Sequence, residues 1–96
     1  MRVLILGADG TPFPVVDDIM LKSSKAKVNS HFKDVPLTTI DPPESWKRIQ
    51  FHYMTALNPA EDGNEYELRV QVGNRKQTLN FTLTPGEFRE FTIKLP

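Results

Sequence analysis

The chain has no cysteine among its 96 residues. That excludes a disulfide framework, a thiolate zinc site and a cysteine nucleophile, and it leans towards a reducing compartment. Net charge is absent too, since Lys plus Arg and Asp plus Glu each number 12. Whole-molecule attraction to nucleic acid or to an anionic membrane is therefore not expected, and weak self-repulsion makes association easier. Long apolar runs are missing. The opening Met1-Arg2-Val3-Leu4-Ile5-Leu6 holds an apolar run of four before Gly7, far short of a signal peptide or a membrane span. Cytoplasmic synthesis without membrane contact is the expectation. Histidine is scarce: His31 and His52 are the only two. Without H-x-x-x-H or H-x-E spacing they make no zinc site, so neither a metal nor another cofactor is expected.

What is present is ordinary for a folded protein. Hydrophobic residues make up 39% and charged residues 25%, which argues against global disorder. The length fits one β-rich domain over residues 1–96. Eight prolines against five glycines disfavour long helices, because proline removes an N–H donor and clashes with the preceding turn.

Along the chain, Arg2 to Leu6 reads as a short buried strand, followed by a turn at Ala8-Asp9-Gly10-Thr11. Pro12 and Pro14 bracket Phe13 and keep a helix from starting there. Residues 17–32 allow two readings. One is a short helix with Leu21, Lys25, Val28 and Phe32 as its stripe. The other is a hairpin pairing Ile19–Lys22 with Lys27–Phe32, which is preferred because the helical stripe contains a lysine. Asp34 to Ser45 is an extended connector with one β piece at Leu37–Ile40. From Trp46 to Leu57 the alternation sets Ile49, Phe51, Tyr53 and Leu57 on one face and Arg48, Gln50 and His52 on the solvent side.

The second half is clearer. Tyr66, Leu68, Val70 and Val72 alternate with polar residues, as do Leu79, Phe81 and Leu83 across the turn at Gly73-Asn74-Arg75-Lys76. That is an antiparallel hairpin with one buried face. Thr84-Pro85-Gly86-Glu87 carries the type II turn signature. A final strand spans Phe88 to Leu95 with Phe91, Ile93 and Leu95 inward and Phe88 out of phase. The whole reads as all-β, with a helix in 17–32 as the alternative to the hairpin: a small antiparallel β-sandwich or barrel, immunoglobulin-like or jelly-roll-like. The stretch Phe81-Thr-Leu-Thr-Pro-Gly-Glu-Phe-Arg-Glu-Phe-Thr-Ile-Lys-Leu95 resembles the last two strands of immunoglobulin-like β-sandwich modules. The resemblance covers about fifteen residues, implies a fold and no activity, and assigns no family.

Motifs for chemistry are few. Gly7-x-x-Gly10 lacks the G-x-G-x-x-G spacing of a dinucleotide site and is followed by prolines, so it reads as a β-turn. Glu61, Asp62, Glu65 and Glu67 lack the calcium-loop pattern and read as a solvated acidic loop. Asn80-Phe81-Thr82 matches the glycosylation acceptor but falls within a strand, without a secretory signal. No residue is assigned a catalytic role, and an enzyme is not expected.

The expected function is that of a non-enzymatic structural or protein-interaction module. Its partner would be itself or another protein, and a symmetric assembly such as a virus particle is a natural setting. The interface candidates are Phe13, Trp46, Phe88 and Arg89, on or near strand edges and rich in large aromatics. A first alternative is a single-stranded nucleic-acid-binding barrel, using the basic patch Lys22, Lys25, Lys27, Lys33, Lys47 and Arg48 with His31 nearby. A second is a carbohydrate-binding β-sandwich, which requires Trp46 and Tyr53 to be exposed.

Overall fold

A computed structural model describes residues 1–25, 28–43 and 47–96. In chain order the elements are β1 (Arg2–Leu6), β2 (Val15–Ser23), β3 (Asn29–Pro36), β4 (Thr38–Ile40), β5 (Ile49–Phe51), β6 (Tyr53–Met54), α1 (Pro59–Asp62), β7 (Glu65–Val72), β8 (Arg75–Thr82) and β9 (Glu90–Lys94). Among the described residues the strands form a four-stranded sheet β3-β2-β7-β8, a three-stranded sheet β6-β1-β9 and a β4-β5 pair.

The two larger sheets share one core. Val3 and Ile5 of β1 and Ile93 of β9 are buried against Ile19 and Leu21 of β2 and Leu68 and Val70 of β7. Aromatic contacts fix how the layers stack. Phe32 of β3 meets Tyr53 of β6 with ring centres 5.3 Å apart, and Phe81 of β8 meets Phe91 of β9 at 4.7 Å. So β3 lies over β6 and β8 over β9. This is a small β-sandwich, as the period-two alternation implies.

The secure hairpin forms as read. β7 and β8 pair from Glu65↔Thr82 to Val72↔Arg75. Gly73-Asn74 closes the hairpin as a two-residue loop, with φ +61° at Gly73 and no positive φ at Asn74. That is the type II′ pattern, in which the first central residue must be glycine and whose twist matches the flanking strands. At the next corner the Glu87 N–H donates to the Thr84 carbonyl at 3.1 Å, and Gly86 takes φ +81°, as a type II turn requires.

The described residues of 17–32 form a hairpin, so the helical alternative is set aside. Ile19 pairs with Phe32 and Leu21 with Ser30. The Ser23 N–H donates to the Val28 carbonyl at 3.0 Å, and the Val28 N–H to Ser23 Oγ at 3.0 Å. Near Asp17 the side-chain phase slips, since Val16 and Ile19 are both buried. Opposite, Asp34 takes φ +53°, so both strands kink together at this point.

Other expectations need correction. β9 pairs with β1 in parallel, from Arg2↔Glu90 to Leu6↔Lys94, so the sandwich is not purely antiparallel. The stretch through Leu57 is not one strand: β5 and β6 are separated at His52, which is buried rather than on the solvent side. The acidic loop contains a four-residue helix, α1, and Asp62 within it is buried.

Leu68 is fully buried in the centre of β7. Leu68→Ala leaves a cavity that neighbouring strands cannot fill, and should destabilise the fold by about 2–5 kcal/mol. Urea unfolding should show this as a lower midpoint at an unchanged slope.

Candidate interaction surface

Two buried polar clusters come first, because a catalytic site would sit among such groups. At His52, the Ile5 backbone N–H donates to Nδ1 at 3.0 Å, and Nε2 lies 2.7 Å from the Phe13 carbonyl oxygen. Nδ1 accepts, so the proton sits on Nε2, which donates to Phe13. The ring is thereby neutral. Burial lowers its pKa below the ordinary histidine value, while the bond to the Phe13 carbonyl acts in the opposite sense. In the second cluster, Tyr66 Oη donates to Asp62 Oδ2 at 2.6 Å, and the Asn58 N–H donates to the same oxygen at 3.3 Å. Burial, and then the Asp62 carboxylate, push the Tyr66 hydroxyl well above its ordinary range. Both clusters join one chain segment to another, and Tyr66 also lines the larger of the two grooves on the surface.

Two grooves open on the surface. One, of about 610 Å³, runs along the ends of β2, β7 and β8 and is lined by Lys22, Ser24, Glu65, Glu67, Asn80 and Thr82 among others. The other, of about 330 Å³, lies beside β1 and β9 and is lined by Arg2, Lys47, Arg48, Gln50, Glu90 and Thr92 among others. Among the described residues no group of three or more His, Asp or Glu side chains is placed to hold a metal ion.

Strand edges are the remaining surface. The Leu83 N–H donates to the Asn64 carbonyl at 3.0 Å, and Val72↔Arg75 closes the turn at the other end of the ladder. In an antiparallel ladder these anchors direct the odd-numbered backbone groups of β8 towards β7. Lys76, Thr78, Asn80 and Thr82 therefore aim their N–H and C=O groups away from it. β8 is the last strand of its sheet, so this row of backbone groups is open.

Among the described residues, the four outer edges of the two larger sheets are not equivalent. β3 carries Lys33, the kinked Asp34 and Pro36, all devices that blunt an edge. β9 is five residues long and exposes Glu90 and Lys94, while β6 has two residues. β8 is eight residues long, with no proline and no positive φ. Beyond Lys76 its outward side chains are Thr78, Asn80 and Thr82, uncharged and exposed. It is the least protected edge of the sandwich.

The sequence candidates fall in different places. Phe88 is 59% exposed in the β8–β9 connection, so it borders the rim where β8 and β9 end their sheets. Arg89 is half-buried, bonded from Nε to Glu87 Oε2 at 3.0 Å and set 5.9 Å from the centre of the Phe91 ring. Phe13 packs against the core beneath Arg75. Trp46 and Lys27 lie outside the described residues. Lys22, Lys25 and Lys33 sit on or beside the β2-β3 hairpin, whereas Lys47 and Arg48 line the groove beside β1 and β9. Lys22 stands opposite Glu67 and Lys33 opposite Asp18, while Arg48 Nε pairs with Asp41 at 3.1 Å. Tyr53 is half-buried against Phe32. The β8 edge was missed, because which strands are outermost depends on sheet order.

No protein-family model, curated protein or solved structure matches the chain.

The His52 geometry sets a pH dependence. Its pKa is lower folded than unfolded, so its stabilisation is complete above the unfolded value of about 6.5 and is lost as pH falls below it. Urea midpoints should drop between pH 8 and pH 5. His52→Phe should be less stable at pH 8, by about 1–3 kcal/mol for each backbone group left unpaired, and should lose most of that drop.

Proposed function

We propose that the chain is a non-enzymatic structural subunit. It assembles with other protein chains through the rim formed by β8, β9 and Phe88, and a symmetric particle is its natural setting. The observation that carries this reading is the unprotected β8 edge. Regular edges invite strand addition, monomeric β proteins normally blunt them, and beyond Arg75 and Lys76 this one carries no charge. Phe88 supports it, because an exposed aromatic beside an open edge is a suitable interface anchor. Near-zero net charge removes the long-range repulsion that would oppose assembly.

The reading as a nucleic-acid binder draws support from the groove with Arg2, Lys47 and Arg48. Against it, Arg2 pairs with Glu90 and Arg48 with Asp41. The two halves of the sequence-level basic patch also do not converge. Binding of a short single strand that weakens steeply with salt would revive it.

Light scattering on the purified chain across a concentration series tests the assembly reading. A mass above the 11.0 kDa protomer, rising with concentration, is the expected result. A strict monomer throughout would end it. Phe88→Ala should leave folding stability within about 0.5 kcal/mol, because the side chain is exposed. It should weaken association by roughly 1 kcal/mol or more.

A further inference from the structure

The geometry points to a second copy of this chain as the occupant of the β8 edge, docked antiparallel about a two-fold axis at Leu79. This rests on the assembly reading above and names the surface and register through which assembly occurs.

The open backbone groups belong to Lys76, Thr78, Asn80 and Thr82, a set symmetric about residue 79. Antiparallel pairing centred there sets Lys76 against the partner's Thr82 and Thr78 against the partner's Asn80. Each outward residue then meets another outward residue, giving roughly eight new backbone hydrogen bonds. Centring the pairing on Thr78 or on Asn80 instead places one end of the row against residues beyond the strand. Only the Leu79 register satisfies all four.

The charges next to the edge fit the same arrangement. On the solvent face Glu65 lies beside Thr82 and Glu67 beside Asn80, while Arg69 lies beside Thr78. Glu67 and Arg69 pair with each other at 3.6 Å, which leaves Glu65 to make the Thr82 end of the β7-β8 hairpin acidic and Lys76 with Arg75 to make the other end basic. Antiparallel docking lays the acidic end of one copy along the basic end of the other. The partner's Lys76 arrives next to Thr82, at the groove that Glu65 and Glu67 line. On the inner face Leu79, half-buried in the protomer, meets the partner's Leu79 across the axis. Contact through one strand edge is small beside a standard interface of about 1,600 Å². The dimer is therefore a weak one and concentration-dependent.

The native chain has no cysteine, so single-cysteine variants report on register without background. In this register the two copies of residue 79 form a non-hydrogen-bonded pair with Cα atoms about 4.5 Å apart, within disulfide range. Residues 78 and 80 each face the other, not themselves. Under mild oxidation Leu79→Cys should cross-link several-fold faster than Thr78→Cys or Asn80→Cys. Thr78→Pro removes an N–H that points away from β7, so the protomer keeps its ladder. It should scatter as a monomer at concentrations where the native chain has twice the 11.0 kDa mass. Asn80→Lys leaves the backbone intact and brings a second cation towards the partner's Arg69. It should give the same loss of dimer, and guards against a folding effect of proline. Cross-linking that is fastest at residue 78 or 80, or a dimer that survives both Thr78→Pro and Asn80→Lys, overturns this inference and leaves the assembly reading standing. A native chain that never exceeds monomer mass overturns both.

Discussion

The imidazole of His52 occupies the place where a neighbouring strand would otherwise continue, and the three-stranded sheet depends on it. β6 pairs with β1 only at Arg2 and Val3. One residue earlier in the chain, the His52 backbone N–H still reaches the Val3 carbonyl at 2.8 Å. Beyond that point the chain turns away, and the Ile5 N–H has no strand to bond. His52 Nδ1 accepts that hydrogen, while the Phe13 N–H donates to the Ile5 carbonyl at 3.2 Å. The same ring holds the Phe13 carbonyl through Nε2. One side chain thus completes the edge of β1 and anchors the returning segment. β1 lies at the centre of its sheet and contributes Val3 and Ile5, both fully buried. Unpaired backbone groups beside them cost about 1–3 kcal/mol each. That is a large share of the 5–15 kcal/mol that usually separates folded from unfolded domains.

This arrangement also shows what could be read from the chain and what could not. Local alternation gave β1, the β7-β8 hairpin, the Pro85-Gly86 corner and the inward phase of β9, because each depends on neighbours a few residues apart. It also marked Phe88 as out of phase, and the fold leaves that residue exposed. The parallel union of β1 with β9 joins residues 88 apart, as in Arg2↔Glu90, and no local pattern encodes it. His52 was misplaced because the alternation was carried through residue 52 as though the strand were continuous. The break there turns an outward position inward. Asp62 was misplaced for a related reason: a carboxylate in an acidic loop looks solvated until Tyr66 and the Asn58 N–H are found bonded to it. Of the basic patch, Lys22 and Lys33 lie on the β2-β3 hairpin while Lys47 and Arg48 line the groove beside β1 and β9, a separation that depends on sheet order and not on spacing along the chain.

Edges complete the picture, because the two larger sheets present four outer edges among the described residues. Here β3, β6 and β9 are managed by kinking, proline, charge or shortness, and β8 is not. The contrast within one molecule is more informative than the β8 sequence taken alone. A pair of sheets that blunts three outer edges and leaves the fourth regular is unlike one in which all four are protected.

The way β8 is held bears on how well it could dock. Its inner neighbour β7 has Leu68 and Val70 fully buried between the sheets, and the two-residue turn at Gly73-Asn74 fixes the register of the hairpin. Phe81 is clamped between Tyr66 and Phe91, with ring centres 5.4 and 4.7 Å away. The edge is therefore already extended and ordered before anything meets it, so little conformational entropy remains to be lost on pairing. Beyond Lys76 its outward side chains are threonine and asparagine, which neither repel an incoming strand as a row of lysines would nor drive collapse as isoleucine would. Such an edge stays hydrated when alone and pairs reversibly when a matching edge is presented. The neutrality of the chain conceals the remaining ingredient: the β7-β8 hairpin carries Glu65 at one end and Arg75 with Lys76 at the other, which gives the edge a direction.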